Sequence, residues 1–344
     1  MSETRQRQIW IDNTKVIACI LVVLGHFFQS MTKSNIVAAT DIFYWFDQTI
    51  YLFHVPLFFI CSGYLYQTYS KVNSFSLWKT NCLKKLLDLG IPFLTFATIT
   101  WALKTVFSSQ VNSEVGSLHY SLFVDPLPPY WFLLCLLIMF FITPTFEKTS
   151  TKVCLLAVAL FFRFSIFIFA STKIPVINQL LYNYFWFILG INLTGFDLNS
   201  LFKKKYTLSA ALALFLLFAG GSVLIYVQSI NNEVITFVLG LMACISVIFI
   251  IGSIYSSNMQ TKLFGFFAKY TMPIFLMHTI FAATLRAVLL KLSITNSAIH
   301  IVAGLIISFA GPIIAAIIMN KTIYLEFFLY PVRTIKRIKK GNIK

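Results

Sequence analysis

Apolar runs of membrane length constrain this chain more than any other feature. Ten follow one another, at about 14–31, 49–67, 88–107, 128–146, 153–171, 175–195, 206–228, 234–255, 268–290 and 298–320. Each is close to the ~20 residues that a helix needs to cross the hydrocarbon core of a bilayer. The expected fold is therefore all-α, a polytopic membrane protein of about ten transmembrane helices. Charged residues make up 11% of the chain, against roughly 25% in a soluble domain. Residues 1–344 are accordingly read as one membrane domain, with a short basic tail at about 332–344 and no fused soluble domain.

The net charge of +16 would suit a nucleic-acid binder, but its distribution excludes that class. With a cytoplasmic N-terminus, the inner segments hold Arg5, Arg7, Lys15, Lys71, Lys79, Lys84, Lys85, Lys148, Lys152, Lys203, Lys204, Lys205, Lys262, Lys269 and the tail. The outer segments hold Lys33, Lys104, Lys173, Arg286 and Lys291. This is the positive-inside bias, and it predicts that both termini are cytoplasmic. The tail cations Arg333, Lys336, Arg337, Lys339 and Lys340 suit anionic lipid headgroups. The six cysteines have no metal or redox spacing and are expected to be reduced, with no metal bound.

An ionisable side chain at membrane depth is expensive, normally faces the bundle interior, and marks a functional site by default. His26 sits in the first apolar run. On an ideal helix Lys15, Cys19, Val22, His26 and Gln29 form one stripe, with Lys15 about 16 Å below His26 at 1.5 Å per residue. Each member has a structural alternative: a satisfied core histidine for His26, a snorkelling amine for Lys15, a helix cap for Asp12. In the second run, Pro56 breaks the backbone ladder and frees a carbonyl, which His54 could take instead of doing chemistry. Ser62-Gly63 lets another helix approach closely. His278 lies in the ninth run. Arg163 reads as structural, reaching toward an interface, and Trp131 as an interface anchor that also packs.

Taken in order, these motifs resemble those of the acyltransferase 3 family of membrane acyltransferases, most closely its fucose 4-O-acetylase-like branch. Lys15 and His26 resemble its basic-residue-x10-His element, and Phe53-His54-Val55-Pro56 through Ser62-Gly63-Tyr64 its second-span signature. Tyr130-Trp131-Phe132-Leu133, Pro273 through His278, and Phe328-Leu329-Tyr330-Pro331 resemble its later motifs, so the similarity runs over essentially the whole chain. One departure stands out. The family often carries two arginines three apart ahead of the third-span proline, where this chain has Lys85 and Asp88. On that comparison Asp88→Arg would restore the pattern and tighten donor binding.

The resemblance implies an O-acetyltransferase that moves an acetyl group from cytoplasmic acetyl-coenzyme A to a sugar hydroxyl of a lipid-linked or cell-surface glycan, in a bacterial plasma membrane. Lys15, Lys84 and Lys85 would take the coenzyme phosphates. His26 would be general base or acyl carrier, with His54 and His278 assisting and Asp12, Trp131 and Ser62 orienting. His26 and His54 are expected to face each other in the outer half of the membrane. Membrane lipids are the other expected partners, and both a monomer and a homo-oligomer stay open. The competing reading is a secondary transporter or flippase for a lipid-linked sugar, against which stands the lack of matched broken helices in the two halves.

Overall fold

The computed structural model describes residues 7–70, 72–107, 115–168, 171–256 and 259–341. Arg5, Lys71, Lys344 and the 108–114 part of the long third-to-fourth connection lie outside them. In chain order the helices are α1 (Ile9–Lys33), α2 (Asp41–Tyr51), α3 (His54–Tyr69), α4 (Phe75–Lys85), α5 (Ile91–Val106), α6 (Trp131–Ile142), α7 (Thr149–Ile168), α8 (Pro175–Leu193), α9 (Leu198–Phe202), α10 (Thr207–Val227), α11 (Glu233–Ile254), α12 (Lys262–Lys291), α13 (Ser297–Met319), α14 (Ile323–Leu329) and α15 (Pro331–Lys339). A π-helical turn, Leu86–Gly90, joins α4 to α5 without a break. No strand occurs among the described residues, and the protein is an all-α polytopic membrane protein.

Eight of the ten expected spans are helices long and apolar enough to cross a membrane. The other two differ for reasons visible in the sequence. Pro128, Pro129 and Pro144 bracket α6, which keeps 12 residues, about 18 Å of helix against the ~30 Å hydrocarbon core. Helix α8 has 19 residues but carries Asn178, Gln179, Asn183 and Asn192, and it is buried against α3 and α7.

The α3–α8 crossing is the tightest in the bundle. A β-carbon on Gly63 would stand 2.0 Å from the Phe187 carbonyl oxygen, and one on Gly190 2.0 Å from that of Ile60. Small residues permit this approach, so Ser62-Gly63 does admit a neighbouring helix, and that helix is α8. Gly190→Ala must push the two backbones apart and is expected to destabilise the bundle by about 1–3 kcal/mol, the range for overpacked cores. A thermal melt in detergent with an unchanged midpoint would contradict this.

Helices α1 and α12 run parallel. Cys19 Sγ donates to the Thr271 carbonyl at 3.6 Å, the rings of His26 and His278 meet, and Ser30 meets Arg286. Successive contacts therefore climb both helices together. The sequence places Asp12 at a cap, but α1 begins earlier, at Ile9, with Gln8 before it. Asp12 lies in the first turn, where its carboxylate favours the positive end of the helix dipole and pairs with Arg7 at 2.5 Å.

Candidate active site

The break between α2 and α3 positions His54. Pro56 has no N–H to offer the Leu52 carbonyl, so the helix stops at Tyr51 and restarts at His54. Pro56 thus lies in a first turn, where the missing amide costs little, rather than in mid-span. Leu52's carbonyl lies against Gly240 of α11, where a β-carbon would come within 2.8 Å. The His54 ring turns back, and Nδ1 lies 2.6 Å from the Ile50 carbonyl oxygen. A carbonyl only accepts, so Nδ1 carries the hydrogen and, in the neutral ring, Nε2 holds the lone pair.

His278 repeats the arrangement on α12. Its Nδ1 is 2.9 Å from the Ile274 carbonyl oxygen and 3.0 Å from that of Phe275. The same reasoning puts the lone pair on Nε2, which is buried and has no hydrogen-bond partner among the described residues. The His26 ring stands 5.5 Å from it, centroid to centroid, at an interplanar angle of 37°. His26 itself is half-buried. Its ring neighbour is thus His278, where the sequence pointed to His54; α12 packs along α1, whereas α3 begins only after the break. His54 and Lys33 remain within electrostatic reach of His26.

A polar fringe continues outward from the histidines. Gln29, the last residue of the α1 stripe, donates to both carboxylate oxygens of Asp47, at 3.0 and 3.1 Å. It also bonds Tyr51, whose ring meets His54 edge-on at 4.6 Å and covers Gly25. Sequence reading passed over Asp47 and Tyr51. The signal was an acid and a phenol four apart just before Phe53-His54, on one helical face.

The tryptophan motif contributes chiefly through its neighbour. Trp131 is half-buried at the start of α6, whereas Tyr130 is fully buried. The Tyr130 hydroxyl donates to the Leu276 carbonyl at 2.8 Å and lies 2.7 Å from Thr100 Oγ1. One hydroxyl hydrogen serves one acceptor, so Thr100 donates to Tyr130. This ties α5 and α6 to α12 two residues before His278.

The candidate donor cations come from two elements, α4 and α1. Lys84 and Lys85 end α4, with Lys85 Nζ 3.9 Å from the centre of the Phe140 ring. Lys15 lies on α1, within electrostatic reach of Cys61 on α3. Asp88 has a structural reason that the family comparison could not supply. Its carboxylate accepts the backbone N–H of Val332 in the first turn of α15, and Lys84, Lys85 and Lys336 surround it. Pro331 opens α15, and fully buried Glu326 pairs with Arg333 at 3.0 Å and with Arg337. The basic tail is therefore a docked helix that brings Lys336 beside Lys84 and Lys85. Asp88→Arg would remove the acceptor and add a like charge among three lysines. Its expected outcome is faster tryptic cleavage of the tail rather than tighter donor binding; unchanged cleavage would refute the docking role.

Two of the remaining polar residues are structural. Arg163 is buried: its Nη1 donates to the Tyr182 carbonyl at 2.7 Å, and the guanidinium lies 3.8 Å from the centre of the Tyr182 ring. His300 bonds the Ile294 carbonyl at 2.8 Å. Among the described residues no group of three histidine, cysteine or acidic side chains is placed to hold a metal ion.

The chain is similar to nodulation protein NolL of Mesorhizobium japonicum, 28% identical over 195 residues, and to that of Sinorhizobium fredii, 32% identical over 193 residues. Each match covers 54% of this chain and 48% of the relative, so the chain spans about half the length of the curated relatives it matches. No solved structure matches. The profile of the acyltransferase domain of the acyltransferase 3 family matches residues 8–317, a stretch that takes in His26, His54, His278, Lys15, Lys84 and Lys85, and the chain belongs to that family.

Proposed function

We propose that this membrane acyltransferase is an O-acetyltransferase that takes its acetyl group from cytoplasmic acetyl-coenzyme A and delivers it to a sugar hydroxyl of a lipid-linked or surface glycan in the cell membrane. The observation that carries the reading is the buried Nε2 of His278, without a hydrogen-bond partner among the described residues, beside the half-buried ring of His26. Backbone carbonyls hold His278 in the tautomer with a bare Nε2. That nitrogen can accept an N–H from His26, and the 5.5 Å ring separation leaves room for the contact between facing edges. His26 then keeps its other nitrogen bare, as a base for an acceptor hydroxyl or a nucleophile for the thioester carbonyl. The neighbouring ring plays the orienting part that a carboxylate plays in a hydrolytic triad.

The donor's phosphates would lie at the other end of the bundle. Lys85, where α4 passes into the π-helical turn, and Lys104, in the last turn of α5, lie 19 residues apart on the continuous helix Phe75–Val106, about 28 Å, close to the thickness of the hydrocarbon core. Lys84, Lys85 and Lys336 gather around Asp88 at that junction, a net-positive cluster suited to phosphate by charge. Both termini are assigned to the cytoplasm by the lysine and arginine bias.

Membrane vesicles from expressing and deletion strains test the reading. Labelled acetyl-coenzyme A supplied to inside-out vesicles is expected to label glycan only where the protein is present, and right-side-out vesicles should take up no label. A flippase would leave the thioester intact in both. Label appearing only in right-side-out vesicles would reverse the sidedness.

A further inference from the structure

Three cations on three helices are linked electrostatically through Lys104, toward the helix ends away from Lys84 and Lys85. Lys33 is the last residue of α1, Lys104 lies in the last turn of α5, and Arg286 lies eight residues beyond His278 on α12. Lys33 and Arg286 both act on Lys104, and Lys33 also acts on His26, so the cluster is continuous with the histidine site. Arg286 is 7% exposed. Its Nη1 donates to the side-chain and backbone oxygens of Ser30, both neutral, and it ion-pairs with no acid among the described residues. A buried guanidinium whose partners are neutral still carries an uncompensated charge, which is expensive unless an anion completes the site. Guanidinium presents a fork of donors matched to phosphate oxygens, and lysines add point charge. Asp47, held by Gln29, supplies a hydrogen-bond acceptor nearby, of the kind a sugar hydroxyl needs.

We propose that Arg286, Lys104 and Lys33 bind the phosphate of the acceptor, so that the molecule presented to His26 is a phosphate-bearing, lipid-linked sugar rather than a neutral glycan. This rests on the acyltransferase reading, but its test does not need turnover. A diphosphate held by the cluster would leave its lipid to the bilayer and bring its sugar toward His26, on which Lys33 acts. The cluster then acts as the anchor, and the hydroxyl to be acetylated is set by the reach from phosphate to His26.

Thermal unfolding of the purified full chain in detergent, with coenzyme A saturating the donor cluster, tests it. The probes are farnesyl diphosphate, farnesol and phosphatidylglycerol. Farnesyl diphosphate is expected to raise the midpoint by several degrees, as any ligand of the native state does, and farnesol is not. Arg286→Gln should abolish that shift, and Lys104→Gln should reduce it, which keeps the test usable where the arginine variant folds poorly. Lys85→Ala should leave the shift intact. An equal shift with phosphatidylglycerol would assign the cluster to a bilayer headgroup and overturn the proposal, as would a diphosphate shift that survives both cluster variants, or no shift in the unaltered protein. Failure of acetyl transfer with this binding intact would instead count against the acyltransferase chemistry.

Discussion

His26→Ala is expected to reduce acetyl transfer by at least about 100-fold, the lower bound for losing a positioned acid–base group, while expression and membrane insertion stay normal. The side chain is half-buried and makes no hydrogen bond among the described residues, so its loss strands no buried partner except the Nε2 of His278, which is already unpartnered. The fold therefore has little reason to fail with the chemistry. Activity of the purified variant within ten-fold of the unaltered protein would remove His26 from the reaction.

His278→Ala is expected to lower kcat by one to two orders of magnitude with both Michaelis constants little changed, because it removes a group that orients His26 rather than one that holds substrate. The neighbouring turn should keep its place, since Tyr130 holds the Leu276 carbonyl from α6. His278→Gln offers an amide oxygen in place of the imidazole lone pair and should recover part of the loss. If alanine and glutamine variants fall equally and their melting midpoints fall together, His278 is a packing residue. Gly190→Ala should behave in the opposite way: there stability drops first, because backbone oxygens leave no room for the methyl group.

Much of this protein is legible in one dimension. Runs of apolar residues identify the spans because lipid admits a backbone only when its polar groups are satisfied internally. Ionisable groups at depth stand out because burying them is expensive, which is how His26, His54 and His278 come forward from the order of residues alone. The two spans that differ do so through signals also present in the sequence, the prolines around α6 and the amides of α8. These signals are weaker than hydropathy and lose to it when a run is read by average alone.

What periodicity carries is the face of a helix; which helix lies against that face is decided elsewhere. The Lys15–Gln29 stripe is a property of the chain, but its partners are set by packing. Helix α12 lies along α1, so His278, not His54, becomes the ring neighbour of His26. Asp88 looks like a lost arginine until α15 docks on it and supplies Lys336, from a segment far along the chain. Arg286 reads as one of the outer-side cations, and the fold buries it against Ser30. The sequence by itself determined the membrane fold, the family and the titratable groups worth weighing, because solvation energies act residue by residue. Only the tertiary structure decided which of those groups meet, because contacts between distant segments depend on how helix surfaces fit, and close approaches such as Gly63 to the Phe187 carbonyl are recorded in no local pattern.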